Sequence, residues 1–272
     1  MTCVTYTAVL NVRRETAEHV AKLLHEHREL LGTRRGTRAL GAFKQAVLVL
    51  RWFIDGAWLV QLTRDNGIST PTAYRCLHEG LTVLADHAPD LSTALERATA
   101  AGYTHLNLDG TVIRTDRVAT PGPNKADLWW SGTGTTVATS RSSPPRGWPI
   151  WVSPVRPGRE HDTTCARTHG LADALNRLAA TLGIPTLTDL GYENAGPGFR
   201  HPAKKPQGRE PDLKQKTFNK VIRGIHGVAE RANALFKVTF KALRRVSLDP
   251  GSITRIARAA LALLQMEHGR TT

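Results

Sequence analysis

The sequence predicts an α/β protein in which an all-α helix-turn-helix domain, residues 1–100, precedes an α/β domain, residues 101–272. Three observations lead there. Up to about residue 100, apolar residues recur at helical spacing among charged ones. From Tyr103 onward, short apolar and β-branched runs alternate with helical stretches. Two of those runs close on an aspartate, Leu106-Asn107-Leu108-Asp109-Gly110-Thr111 and Leu187-Thr188-Asp189-Leu190-Gly191-Tyr192. A strand that ends in a carboxylate sets it at the C-terminal edge of the sheet, where open α/β sheets carry their ligands.

In chain order, Glu15 to Leu31 reads as a helix with Ala17, Val20, Ala21 and Leu24 on one face, stopped by Gly32. Leu40 to Phe53 is a second, apolar helix. Trp58 to Arg64 is a short third one, and Asp65-Asn66-Gly67 a tight turn. Ser69 caps a helix from Pro71 to His87, so that Thr70, Thr72, Tyr74 and Arg75 lie near the start of a recognition helix. Asp90 opens another helix to about Ala100, which Gly102 ends. Beyond it, His105 to Asp109 is a strand closed by Gly110-Thr111, and Val112 to Arg117 resumes the sheet after that turn. Pro149 to Val155 is a further strand segment, Thr163 to Leu182 an Ala/Leu-rich helix, and Ile184 to Leu190 a strand. Asn194 to Pro211 is a Gly/Pro-rich basic loop, Lys214 to Arg244 a long basic helix, and Ser252 to Met266 an amphipathic one.

Charge narrows the partners. Lys and Arg number 37 against 23 Asp and Glu, a formal charge of +14, which favours polyanions such as DNA, RNA or an anionic membrane. The most apolar stretch, Ala46 to Val60, is broken by Arg51 and Asp55 and is too short to span a bilayer. No charged start, apolar core and cleavage site opens the chain. Cys3, Cys76 and Cys165 lie far apart and support neither a disulfide framework nor a zinc knuckle, so a reducing, cytoplasmic setting is expected.

A third acid, Glu230, stands in a basic helical stretch from Arg223 to Arg231. Alone it reads as a surface ion pair. Joined by Asp109 and Asp189, it makes a hard-oxygen site of the kind Mg²⁺ takes, and two ions about 3.5–4 Å apart suit phosphodiester chemistry. Arg223 and Arg231, with Lys204, Lys205, Lys214 and Lys216, are candidates for phosphate contacts.

The blocks Asp109-Gly110-Thr111, Ser153-Pro154, Pro157-Gly158, His161-Asp162 and Asp189-Leu190-Gly191-Tyr192 stand in the order of a known family. So does the helix carrying Glu230 and Ala234-Leu235-Phe236-Lys237, followed by Leu243-Arg244-Arg245 and the tail Glu267-His268-Gly269-Arg270. Together they resemble the DDE transposases of the fifth insertion-sequence group, relatives of the Harbinger elements. The resemblance implies a ribonuclease H-like catalytic core whose metal-binding triad is Asp109, Asp189 and Glu230, with Mg²⁺ or Mn²⁺ as two ions. It sets His161 and Asp162 beside that site without making them ligands. It further implies double-stranded DNA as substrate (terminal inverted repeats and target), a homo-oligomer on DNA, and a bacterial, nucleoid-associated location. The competing readings are an inactive or repurposed DNA-binding protein, and a ribonuclease H-like nuclease unconnected with transposition.

One stretch departs from that family. After Trp129-Trp130-Ser131-Gly132, residues 133–145 carry little apolar content and end in two prolines, a poor central strand. The sheet is therefore expected to lack the neighbour of the Asp109 strand, and this copy to be degenerate. Read one base earlier, a choice of G/C-rich synonymous codons from the last base of codon 132 onward can encode His-Arg-His-His-Gly-Gly-Asn-Val-Gln-Val-Ile-Thr-Ala-Pro, a turn followed by an apolar strand. A compensated frameshift predicts that reading in the adjacent frame of the gene, and sequencing codons 132 to 146 decides it: an adjacent frame without it ends the idea.

Overall fold

The computed structural model describes residues 9–115, 130–131, 134–143, 149–205, 208, 210–246 and 248–268. Five helices come first: α1 (Arg14–Leu30), α2 (Ala42–Ile54), α3 (Leu59–Asn66), α4 (Thr70–Asp86) and α5 (Leu91–Ala100). Their starts follow the expected chemistry. Ser69 Oγ accepts the Thr72 N–H at 3.4 Å, and Asp90 Oδ1 accepts the Thr93 N–H at 2.8 Å, each satisfying a donor that the first helical turn leaves open. Gly67 ends α3 in the left-handed conformation (φ 61°), and only Ile68 and Ser69 separate it from α4.

The rest of the chain builds a mixed sheet: β1 (Leu106–Thr115), β2 (Trp130–Ser131), β3 (Gly134–Ser143), β4 (Trp151–Val152), β5 (Arg156–Pro157), β6 (Thr186–Leu187), β7 (Phe199–Arg200) and β8 (Arg245–Val246). Helices α6 (Asp162–Thr168) and α7 (Leu171–Leu182) precede β6, α8 (Leu213–Thr239) precedes β8, and α9 (Ile253–Glu267) follows it. The main path runs β2-β3-β1-β6-β7, with β4 and β5 also on β3 and β8 also on β1. Pairing is antiparallel for β1 with β3, and parallel for β1 with β6 and β8. Among the described residues no helix is long and apolar enough to cross a membrane.

Strand alternation makes β1 the partition between two cores. Leu106 and Leu108 pack with α5, α6, α7 and Tyr192 on one side. Ile113 packs on the other with Phe236 and Phe240 of α8, and with the helical half of the molecule. That second core runs across residue 100, because α9 lies on α4. Arg258 donates to the carbonyls of Ala85 (3.2 Å) and Ala88 (2.9 Å), and Arg255 to Thr82 Oγ1 (3.2 Å).

Several expectations change: the helix expected from Lys214 to Arg244 ends at Thr239, the strand expected over Pro149 to Val155 covers only Trp151–Val152, and Asp65 and Asn66 belong to α3. No turn follows Asp109: β1 runs unbroken through Gly110, which pairs with Ser140, because β3 holds the strand on both sides of it. Residues 116 and 117, the end of the expected continuation, lie outside the described residues. The segment expected to fail as a strand supplies β3 itself, in register with β1 from Asn107↔Ser143 to Arg114↔Thr136. Its backbone ladder does not depend on apolar side chains; 133, 144 and 145 lie outside the described residues. The single helix expected over Thr163 to Leu182 is two, broken where Gly170 turns left-handed (φ 64°). The strand expected from Ile184 to Leu190 shrinks to Thr186–Leu187, since Asp189 leaves the ladder to cap a short helical turn at Leu190–Tyr192.

Helices α2 and α4 meet at Gly80, where a methyl group would stand 2.5 Å from Cγ2 of Val49. Gly80→Ala is thus expected to destabilise the fold by roughly 1–3 kcal/mol through overpacking, against the gain of about 1 kcal/mol that alanine brings to an open helix. Urea unfolding of Gly80→Ala, Val49→Ala and the double variant checks this. Strict additivity of the two changes, or a stabilised Gly80→Ala, contradicts the close contact.

Candidate active site

The two strand-borne aspartates meet through register. The parallel rungs Leu106↔Thr186 and Asn107↔Leu187 are the last between β1 and β6, and Asp109 and Asp189 each lie two residues past the final one. Both chains therefore deliver a carboxylate to the same end of the ladder. Beyond that rung, among the described residues, β1 has no strand on this edge until Arg114 pairs with Arg245 of β8.

Helix α8 occupies the gap. Its inward face is Ile222, His226, Ala229, Asn233, Phe236 and, past its end, Phe240, spaced by alternating fours and threes. The polar members of that face serve β1. Nε2 of His226 faces the Leu108 carbonyl at 3.3 Å and so carries the proton, and Asn233 Nδ2 donates to Asp109 Oδ2. Lys237, one turn on, donates from Nζ to the Val112 carbonyl at 3.0 Å. Side chains thus satisfy carbonyls that a neighbouring strand would otherwise have taken.

A third carboxylate approaches the same region. Asp162 begins α6, and a methyl group at Gly110 would stand 2.5 Å from its Oδ1, one at Gly191 3.0 Å from its Oδ2. Gly191 is equally close to Asp189, whose Oδ1 accepts the Gly191 N–H at 3.0 Å. Both glycines of the strand-end motifs thus make room for Asp162, a role different from the turn expected at Gly110. Burial first, then the charges of Asp189 and Asp162, push the Asp109 carboxyl up to about 6, against the opposing pull of His226 and the Asn233 hydrogen bond. Burial and the Asp189 charge raise Asp162 as well.

The other expected residues are placed as follows. Glu230 is exposed on the flank of the α8 face between His226 and Asn233, and its charge is not among those acting on Asp109. His161 is exposed at the start of α6. Thr70 and Arg75 are exposed, with Arg75 donating to Thr72 Oγ1 at 3.1 Å. Tyr74 instead lies half-buried against the helical core, its ring stacked on His78. Lys204 pairs with Glu193 and Lys205 with Glu210, whereas Arg223 and Arg231 present exposed side chains on α8. His226 and Asn233 were not anticipated. Their signal was present as two polar residues seven apart on an otherwise apolar face of one helix.

Among the described residues, no three His, Cys, Asp or Glu side chains already close around one point. The donor set nevertheless fits a hard divalent cation. Asp109, Asp189 and Asp162 crowd negative charge that few groups offset, and Oδ1 of Asn233 is buried without a partner among the described residues.

The raised carboxyl has a consequence for stability. A folded-state value above the usual carboxylate range means that the folded protein binds the proton more tightly than the unfolded chain. Stability is therefore greatest below about pH 4 with respect to this group and falls as pH rises to about 6, by on the order of 2–3 kcal/mol. In chelator-containing buffer, Asp109→Asn is expected to flatten that slope and to raise the melting temperature at pH 7.5. Mg²⁺ is expected to recover the difference in the parent protein but not in the variant. Identical pH slopes for the two proteins would refute the crowding.

Comparison with known proteins bears on the same region. No curated protein and no solved structure matches the chain. The family described as DDE superfamily endonuclease matches residues 108–265, from the residue before Asp109 to the last turn of α9 and more than half of the chain. A carboxylate pair just past the last rung between two parallel strands, inside a match of that extent, places the protein: the chain belongs to the DDE superfamily endonucleases.

Proposed function

We propose that the protein is the transposase of an insertion sequence of the fifth group, with a ribonuclease H-like core that cleaves DNA at the element's terminal inverted repeats and joins the ends to a target. The observation that carries this reading is the shared offset of Asp109 and Asp189 past the last β1–β6 rung in a DDE-family chain. We assign residues 1–100 to DNA recognition and 101–272 to catalysis, the two sharing one core. Thr70, Thr72 and Arg75 at the start of α4 are the readers of the repeat, and the net charge of +14 supports a DNA partner.

In this reading Asp109, Asp189 and Glu230 hold Mg²⁺ or Mn²⁺, two ions in the full complex. Divalent cations, when bound, supply Lewis acidity toward a phosphodiester and charge stabilisation at the departing oxygen. The chain's own residues do the rest. Asn233 fixes the orientation of Asp109, His226 anchors the strand that carries it, and both restrict the carboxylate before any ligand arrives. Arg223 and Arg231 flank Glu230 and are the groups to hold phosphate against it. A homo-oligomer follows from the need to bring two DNA ends together.

A second assignment of the third carboxylate has an observation in its favour: Asp162, not Glu230, lies among Asp109, Asp189 and their glycines. Mg²⁺-dependent nicking of labelled DNA carrying the terminal repeat separates the possibilities. The parent protein is expected to cut at the repeat boundary, Asp189→Ala to fall to background, and Asn233→Ala to lose about 10–100-fold. Loss in Glu230→Gln with activity kept in Asp162→Asn supports the triad of the family; the reverse gives the role to Asp162. Repeat binding without cleavage in the parent protein leaves a DNA-binding protein and rejects the enzyme.

A further inference from the structure

Helix α6 faces the turn that follows β6 across a cleft of about 330 Å³. On the helix side, His161, Thr164 and Arg167 recur every third residue and are all exposed, so they form one row of polar side chains. The opposite wall includes Gly191, Glu193 and Asn194. Two hydrogen bonds tie the walls together. Thr163 Oγ1 donates to the Gly191 carbonyl at 2.6 Å, and Arg167 Nη2 donates to the Asn194 carbonyl at 2.6 Å. Asn194 is the one non-glycine residue with positive φ (70°) among the described residues, a conformation few side chains adopt unaided, so the turn is held in shape by its contacts.

This cleft adjoins the carboxylates. Gly191 lines it, and a methyl group at Gly191 would stand 3.0 Å from Asp162 Oδ2 and 3.1 Å from Asp189 Oδ1. The backbone of one residue therefore separates the cleft from the acidic centre, and the chemistry changes across that wall. The centre gathers aspartates, whereas the cleft offers a guanidinium, a hydroxyl and an imidazole. Glu193, the carboxylate of its lining, is paired with Lys204. A guanidinium carries five N–H donors in a planar fork, and the Asn194 carbonyl engages one of its nitrogens. The non-bridging oxygens of a phosphodiester match such a fork. A DNA strand brought to the aspartates is repelled until cations arrive, and a cationic hold on the neighbouring phosphate offsets that repulsion.

We propose that this cleft binds the phosphodiester next to the scissile one, with Arg167 and Thr164 donating to its non-bridging oxygens, and so sets the strand in register over the carboxylates. The inference rests on the DNA-cleaving reading above and adds a binding site to it. The probes are duplexes carrying the terminal repeat and its flank, each with a single methylphosphonate, a neutral isostere, at successive positions around the repeat boundary. Affinity for the full chain is measured with Ca²⁺ in place of Mg²⁺, so that binding is read without cutting. Arg167→Gln is expected to weaken binding of the unmodified duplex roughly 10-fold, and Thr164→Val roughly 3-fold. Arg167→Gln is also expected to reduce the slope of log affinity against log salt by about 0.9. The methylphosphonate adjacent to the boundary should weaken the parent protein about as much as Arg167→Gln does, and weaken that variant little further. A guanidinium that only braces the Asn194 turn shows no such coupling to one phosphate. Matching melting temperatures exclude misfolding, and Thr164→Val tests the cleft with the Arg167–Asn194 bond intact.

Additive effects of Arg167→Gln and the methylphosphonate at every position overturn the proposal, as does coupling confined to phosphates remote from the boundary. Nicking by the parent protein with additive effects throughout removes the cleft alone. Coupling at the adjacent phosphate without nicking in Mg²⁺ removes the catalytic reading alone. A parent protein that binds none of the duplexes overturns both.

Discussion

The molecule is organised by the empty edge of β1. Between the β6 rungs and the β8 rungs no strand of the described residues covers it, and backbone carbonyls left there without donors would each cost about 1–3 kcal/mol. Helix α8 covers the gap with side chains in place of a ladder, through His226 at Leu108 and Lys237 at Val112. The same contact brings Asn233 to Asp109. Fold and site therefore share one interface, and a change that loosens α8 from β1 loosens the carboxylate with it.

That arrangement sets stability against chemistry. An apolar sheet edge would rather bury hydrocarbon, yet here three aspartates approach one another from β1, from the end of β6 and from the start of α6. Two glycines give up side chains to admit the third. The strain is electrostatic, stored in Asp109 by burial and repulsion, and it is the kind that a cation relieves. The cores on either side of β1 supply what the site withholds: Leu106 and Leu108 on one face, and Ile113 with Phe236 and Phe240 on the other.

Much of this was legible in the residues, for identifiable reasons. The five N-terminal helices declared themselves because Ser69, Asp90 and Gly67 are local signals that act over three or four residues. The two aspartates were visible for the same reason, although Asp109 lies inside β1 and only Asp189 lies past the end of its strand. What escaped depended on distant partners. Gly110 looked like a turn because glycine after aspartate usually is one, but β3 pairs straight through it and Asp162 needs the space. Residues 134–143 looked unfit for a central strand on side-chain grounds, while their place is held by backbone pairing to β1. His226 and Asn233 carry no motif; their meaning appears only once α8 is laid on β1. Glu230 was found by resemblance, and its exposed position on the flank of α8 is information that spacing alone does not contain.

The packing of α9 has a bearing on how the protein comes into being. Arg255 and Arg258 tie this helix to α4, and Glu267 at its end receives hydrogen bonds from Arg13 and Thr16 at the start of α1. As the polypeptide leaves the ribosome, α1 to α5 emerge long before the helix that closes their core. Their core therefore waits, incompletely packed, until α9 has been made. A nascent or prematurely ended chain holds α4 without the helix that packs on it. Synthesis through α9 is thus a condition for closing the core of the first helices.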